Sequence, residues 1–87
     1  MDSPDFLDEP PVDDQVTEYD RAHLVTYLRL LDADADEADW EEAVEIIFGI
    51  DPRRDRERAR RIHRSHLARA RWMTEHGYRD LLRTGFH

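Results

Sequence analysis

Apolar side chains recur at the spacing of an α-helix in three segments of this 87-residue chain. No segment alternates between apolar and polar residues with the period of two that a half-buried β-strand requires. The three stripes consist of Leu24, Tyr27, Leu28 and Leu31; of Trp40, Ala43, Val44, Ile47 and Phe48; and of Ala59, Ile62, His66, Ala70 and Met73. This pattern predicts an all-α fold.

Capping residues mark the ends of these helices. Thr17 or Asp20 can cap the first, and Gly49 can end the second, because glycine enters the left-handed conformation without a steric penalty. The third can begin at Pro52 or after Asp55. The predicted helices span 19–32, 37–48, and 52 or 56 to 76, with a short helical turn over 78–82.

The link over 49–55 is longer than the three or four residues of a usual helix-turn-helix. The chain is therefore predicted to be a three-helix, extended-turn variant of that motif, with its helical domain over 17–83. Residues 1–16 combine three prolines with many acidic residues, a composition that cannot offset the entropy of ordering. We predict a disordered acidic tail over 1–16, in which Phe6 and Leu7 are alternatively a partner-docking motif, and a loose C-terminus over 84–87.

Charge is distributed unevenly along the chain. Residues 1–51 carry 17 acidic residues against two arginines, a net charge of -15, and residues 52–87 carry 11 arginines against four acidic residues, a net charge of +7. Arginines 53, 60, 64 and 71 lie opposite the apolar stripe of the third helix. Arginine is the residue that most often contacts bases and phosphates, so this helix could be the recognition helix of a DNA-binding helix-turn-helix.

The acidic first half argues against that function. Acidic helices within roughly a Debye length, about 8–10 Å, would repel a duplex. The arginines can instead neutralise the acidic face of the second helix and the acidic tail. We therefore predict that this chain alone does not bind DNA.

Few residues could support catalysis or hold a metal. The chain has no cysteine, which excludes disulfides and thiol nucleophiles and fits a reducing compartment. His63 and His66 have a metal-ligand spacing, but packed imidazoles are the ordinary interpretation. The acidic run 32–36 could open a calcium loop, yet Glu37 and Ala43 occupy the positions that need glycine and glutamate. We predict no enzyme activity, no metal and no cofactor.

The chain also lacks an apolar stretch of the roughly 20 residues that span a membrane, and it begins with acidic residues rather than a secretory signal. We expect no membrane association and a cytoplasmic location. Trp72 lies off the apolar stripe of its helix. Either Tyr78, Leu81 and Leu82 fold back over it, or it anchors a partner, as Trp, Tyr and Arg often do at interfaces.

Four segments carry a family resemblance: 28–33, 47–49, the arginine-rich run 53–71, and Gly-Tyr-Arg-Asp-Leu-Leu over 77–82. Together they resemble a proteobacterial domain-of-unknown-function family, number 2285, over about residues 19–83. The resemblance implies a helix-turn-helix variant with two uses. Basic members joined to another domain bind DNA and activate transcription, whereas acidic stand-alone members sequester the activator.

Acidity places this chain with the second group. We predict a quorum-sensing antiactivator that binds a transcriptional activator controlling transfer of an integrative and conjugative element, with a LuxR-type regulator as a second candidate partner. The predicted partner-binding residues are Tyr27, Arg61, Trp72, Tyr78 and Leu82. The alternative is a small DNA-binding helix-turn-helix regulator or an excisionase-like factor.

Overall fold

The computed structural model describes residues 6–77. Its elements are α1 (Glu18–Ala22), α2 (Leu24–Ala35), α3 (Trp40–Phe48), α4 (Arg56–Trp72) and a terminal π-helical turn, Met73–Gly77. Residues 6–77 contain no β-strand, so the all-α prediction is confirmed. The helical turn predicted over 78–82 and the loose end over 84–87 lie outside the described residues.

The first predicted helix is two helices, α1 and α2, with a break at His23. Thr17 caps α1: its hydroxyl accepts a hydrogen bond from the Asp20 N–H (3.1 Å), and the Asp20 carboxylate accepts one from the Thr17 N–H (2.9 Å). At His23 the backbone leaves the helical conformation, with φ −119° and ψ 24°. The apolar stripe begins only after this break, so periodicity alone does not reveal it.

The link between α3 and α4 is fixed at both ends by local capping. Gly49 ends α3 in the left-handed conformation (φ 71°), and its N–H donates to the Glu45 carbonyl (3.0 Å). Asp55 begins α4, since its carboxylate accepts a hydrogen bond from the Arg58 N–H (3.2 Å). The third helix thus has the later of its two predicted starts. The small helical, helix-turn-helix-like architecture is confirmed.

Helices α2, α3 and α4 pack around one apolar core. Its buried members are Leu30, Val44, Phe48, Ala59, Ile62 and Leu67. A second cluster joins Tyr27 of α2 to Ala70 and Met73 near the end of α4. These contacts occupy one side of α4 along its whole length, so the opposite side is left to solvent.

The N-terminal segment, residues 6–16, packs against the helices, so the prediction of a disordered tail is wrong for these residues. Phe6 lies edge-on to Phe48, with ring centroids 4.7 Å apart, and 4.9 Å from the ring of His23. The Leu7 N–H donates to the Tyr19 hydroxyl (3.1 Å). Composition missed this because the stabilising contacts come from residues distant in the chain. Residues 1–5 lie outside the described residues.

Replacing Phe6 by alanine is expected to lower the free energy of unfolding by about 1–2 kcal/mol, less than for a fully buried phenylalanine because Phe6 is only partly covered. Urea unfolding followed by circular dichroism measures this. Leu7→Ala is the matched control: Leu7 is 50% exposed, and its loss should change stability by less than about 0.5 kcal/mol. Equal effects of the two substitutions would contradict the packing of Phe6.

None of the helices over residues 6–77 has both the length and the apolar composition needed to cross a lipid bilayer.

Candidate nucleic-acid interface

The solvent side of α4 carries an arginine stripe. Ala59 and Ile62 are fully buried, whereas Arg60 and Arg64 on the other side of the helix are exposed. Arg53 and Arg71, at the two ends of the stripe, are exposed as well. The structure therefore places all four predicted stripe residues at the surface.

Trp40, at the start of α3, positions the arginines nearest to it. The guanidinium carbons of Arg56 and Arg60 each lie 5.2 Å from the centre of its ring, and the ring of His63 lies 6.0 Å away. A cation this close to an indole face is attracted by the ring quadrupole. Arg56 also pairs with Glu41. Trp40 therefore restrains Arg60 at the edge of α4 that faces α3.

Most of these arginines are neutralised by a nearby carboxylate. The ion pairs are Arg53–Asp51, Arg56–Glu41, Arg58–Asp8, Arg61–Asp8, Arg69–Asp20 and Arg71–Asp34. Of the arginines over 53–71, Arg54, Arg60 and Arg64 have no such partner among residues 6–77; we call these three the open arginines. They lie just before α4 and in its first half, which is where a recognition helix contacts base edges.

A buried ion pair ties α4 to α1. Asp20 and Arg69 have side chains that are 0% and 6% exposed, and Arg69 Nη2 donates to Asp20 Oδ2 at 2.6 Å. The Tyr27 hydroxyl donates to the same carboxylate (2.8 Å). Burial alone would raise the pKa of Asp20, but hydrogen bonds from Arg69, Thr17 and Tyr27 hold it below its usual value. The other guanidinium N–H groups of Arg69 donate to backbone carbonyls of the N-terminal segment.

His66 is buried in a polar contact between α4 and α1. Its Nδ1 lies 2.7 Å from the Ile62 carbonyl, which can only accept, so Nδ1 carries the proton. Nε2 then accepts from the Tyr19 hydroxyl at 2.6 Å. This arrangement needs a neutral ring. Burial lowers the pKa of His66, and it likewise lowers that of His23, which packs against Tyr19.

Acidification is therefore expected to destabilise the fold. Because burial lowers the folded-state pKa of His23, His63 and His66, the unfolded chain binds more protons below about pH 6.5. Their stabilisation is complete above that pH and is lost as the pH falls through the folded-state pKa values, by at most about 1.4 kcal/mol per pH unit for each histidine. Urea unfolding at about pH 7 and pH 5.5 measures the change in the free energy of unfolding. The control is His76→Gln, which changes an exposed histidine and should leave the difference between the two pH values in place. An identical midpoint at both pH values would contradict the buried neutral rings.

Of the five predicted partner-binding residues, the structure describes Tyr27, Arg61 and Trp72, and these three do not share an accessible surface. Tyr27 is only 2% exposed and cannot contact a partner, so its prediction is wrong. Arg61 is exposed but holds Asp8 (3.3 Å). Trp72 is half-buried, with the Arg69 guanidinium 3.9 Å from its ring centre. Tyr78 and Leu82 lie outside the described residues.

Sequence reasoning missed two features of this region. The sequence pattern does not distinguish Arg69 from the surface arginines, yet its side chain is buried against Asp20. That Arg54, Arg60 and Arg64 lack a carboxylate partner among residues 6–77 depends on the three-dimensional positions of the carboxylates, which the sequence does not show. The sequence indicated Asp20 as a possible helix cap, but residue type and spacing did not predict its pairing with Arg69.

Comparison with protein families decides what kind of domain this is. A model of the RovC DNA-binding domain, described as "T6SS, Transcription factor, DNA binding domain", matches residues 6–83. The chain belongs to the RovC DNA-binding domain family. The matched range includes residues 6–16, so the N-terminal segment is part of this RovC-family domain. No curated protein matches the chain significantly.

Two predictions about family and role are corrected by this match. The family is that of the RovC DNA-binding domain and not the domain-of-unknown-function family 2285. Neither the family match nor the curated proteins support the predicted quorum-sensing antiactivator, a role of which rhizobial QseM is an example. The match favours the alternative, a DNA-binding domain of a transcriptional regulator, over an antiactivator that sequesters an activator or binds a LuxR-type protein.

The prediction that the chain alone does not bind DNA is overturned by the same match. Net charge averages over the whole surface, whereas a duplex can contact only one side of a domain of this size. Charges more than a Debye length away, about 8 Å at physiological salt, are largely screened. The open arginines therefore say more about DNA binding than the net charge of -8 does.

Proposed function

We propose that this chain binds duplex DNA as the DNA-binding domain of a transcriptional regulator, using the solvent side of α4. The observation that carries this proposal is the presence of the open arginines at the second helix of a helix-turn-helix: Arg60 and Arg64 lie on α4, and Arg54 lies in the link just before it. The family membership supports the same ligand.

The dimensions of α4 suit a major groove. A helix of 17 residues is about 25 Å long at 1.5 Å per residue. The major groove is about 12 Å wide and admits one α-helix, and the N-terminal residues of a recognition helix meet the base edges. Arg60 and Arg64, one turn apart in the first half of α4, would then face the groove. Arg54, in the preceding link, would meet the phosphate backbone.

Arginine chemistry gives these positions distinct roles. A guanidinium can donate two parallel hydrogen bonds to O6 and N7 of guanine, or to two phosphate oxygens. Arg60 is restrained by Trp40, which lowers the conformational entropy that it loses on binding. We assign Arg60 and Arg64 to base or phosphate contacts in the groove, and Arg54 to a phosphate.

The acidic residues outside α4 lower the affinity for DNA that we expect. They oppose long-range attraction, so binding must come from short-range contacts and should be modest on DNA of arbitrary sequence. Non-specific binders typically have a Kd of about 10⁻⁴–10⁻⁶ M. We expect this chain to fall in the weaker part of that range.

A titration of a fluorescent random-sequence duplex, followed by anisotropy at several salt concentrations, tests the proposal. Binding should saturate, and its logarithmic salt dependence should have a slope of about −3, since each neutralised phosphate contributes roughly −0.9. Circular dichroism in the same buffers confirms that the chain is folded. A folded chain that shows no saturable binding up to about 1 mM at low salt would contradict the proposal.

A further inference from the structure

The Asp8 carboxylate lies between two guanidinium groups on the flank of α4. Arg58 Nε donates to Asp8 Oδ1 at 2.9 Å, and Arg61 Nη1 donates to Asp8 Oδ2 at 3.3 Å. The Ser65 hydroxyl donates to the backbone carbonyl of the same residue at 3.0 Å. Two guanidinium groups of the helix that we assign to DNA thus hold the Asp8 carboxylate, and the Ser65 hydroxyl beside them holds the Asp8 backbone.

These three donors have the chemistry of a phosphodiester site. Two guanidinium groups and a hydroxyl are the donors that most often contact DNA phosphates. At 100° per residue, positions 58, 61 and 65 lie along one flank of α4, and Arg61 is next to the stripe that holds Arg60 and Arg64. A helix seated in the major groove has a phosphate backbone along each flank.

We propose that Arg58, Arg61 and Ser65 form a phosphate-binding subsite that Asp8 occupies in the free protein and leaves when DNA binds. This inference rests on the proposed function, since DNA is the expected source of the phosphate. Asp8 then competes with the duplex and keeps the affinity of the domain low. The N-terminal segment is in this way a built-in competitor for the side of α4 that it borders.

The attachment of the segment allows the Asp8 carboxylate to leave its arginine partners by side-chain rotation while the segment stays packed. Phe6 is held before it, against the rings of His23 and Phe48. After it, the carbonyl of Asp13 accepts a hydrogen bond from buried Arg69 (2.8 Å). Asp8 and both of its arginine partners are between 41% and 48% exposed. Ion pairs this exposed are weak and readily exchanged for another anion.

Asp8→Asn is the decisive variant, with Asp14→Asn as its control. Both remove one negative charge from the N-terminal segment, but Asp14 is exposed and contacts no arginine of α4 among residues 6–77. Asp8→Asn should bind a random-sequence duplex about five- to tenfold more tightly than the original chain, with a salt slope steeper by about 1–2. Asp14→Asn should change the affinity by less than about twofold, because exposed charges are screened.

A second background shows whether the gain comes from the subsite. In an Arg58→Ala/Arg61→Ala chain, adding Asp8→Asn should give no further gain in affinity. The inference would be overturned if Asp8→Asn bound the duplex no more tightly than the original chain, or if Asp14→Asn bound it as tightly as Asp8→Asn. Binding by the original chain in that case would leave the proposed function standing.

Inorganic phosphate provides a readout that does not depend on DNA. The arginine side-chain N–H signals of the Asp8→Asn chain are followed by NMR as phosphate is added. Saturable shifts confined to Arg58 and Arg61, and weaker in the original chain, support the phosphate subsite. If such shifts occur but no duplex binds, the proposed function and the competition of Asp8 with DNA are rejected, and the subsite itself stands. Shifts that are absent, or spread equally over all arginines, overturn the subsite.

Discussion

Replacing Arg69 by alanine is expected to lower the free energy of unfolding by about 3–5 kcal/mol. The substitution leaves the Asp20 carboxylate buried without its cation and removes donors to the N-terminal segment. Single domains are typically stable by only about 5–15 kcal/mol, so the variant should lose a large fraction of its stability and melt at a clearly lower temperature. Thermal and urea unfolding measured by circular dichroism give the effect directly.

Arg71→Ala is the matched control on the same helix. Arg71 also pairs with an aspartate, Asp34, at 2.7 Å, but the two side chains are 58% and 45% exposed. Exposed pairs of this kind contribute about 0–1 kcal/mol. Losses of similar size for Arg69→Ala and Arg71→Ala would show that burial of the Asp20–Arg69 pair has been assigned wrongly.

The largest expected effect on DNA binding comes from removing two open arginines together. Arg60→Ala/Arg64→Ala should weaken duplex binding at least about 30-fold, since an arginine that reads a base contributes roughly 1–3 kcal/mol. The salt slope should become shallower by about 1 for each phosphate that the variant no longer neutralises. Neither side chain is part of the core, so the free energy of unfolding should stay within about 1 kcal/mol of the original.

The control for this double variant carries the same change in net charge. Arg21→Ala/Arg29→Ala also removes two exposed arginines, from α1 and α2. If the affinity depends on contacts along α4, this control should weaken binding by less than about threefold at physiological salt, where distant charges are screened. Equal effects of the two double variants would mean that overall charge, and not the arginine stripe, governs binding.

Much of the fold could be predicted from local sequence signals. The apolar stripes located α2, α3 and α4, and Gly49 and Asp55 were recognised as possible caps from residue type alone. The break at His23 escaped because it depends on a buried histidine packed between the rings of Phe6 and Tyr19. Such tertiary contacts leave no periodic trace in the sequence.

The N-terminal segment shows the limit of arguments from composition. Its prolines and acidic residues suggested disorder, yet Asp8 binds arginines some 50 positions away, and Arg69 holds the Asp13 carbonyl. These contacts offset the ordering entropy that the segment could not offset alone. Only a three-dimensional arrangement reveals them, because the partners are far apart in the chain.

The candidate site was predicted in part. The positions of Arg60, Arg64 and Arg71 on α4 follow from 100° per residue. All three are exposed as expected, and so is Arg53, although it lies in the link before α4. Its function was misjudged because the net charge was weighed above the local charge. The packing of α3 against α4 places Trp40 beside Arg60. It also determines which arginines of the stripe stay unpaired among residues 6–77.

The central claim is that duplex DNA binds to the solvent side of α4. Backbone amide shifts of the isotope-labelled chain, recorded by NMR as an unlabelled duplex is added, test it most directly. The account predicts that the largest shifts fall within residues 53–65, at the link and the first half of α4. Largest shifts on α2 or the acidic face of α3, or no saturable shifts at all, would contradict it.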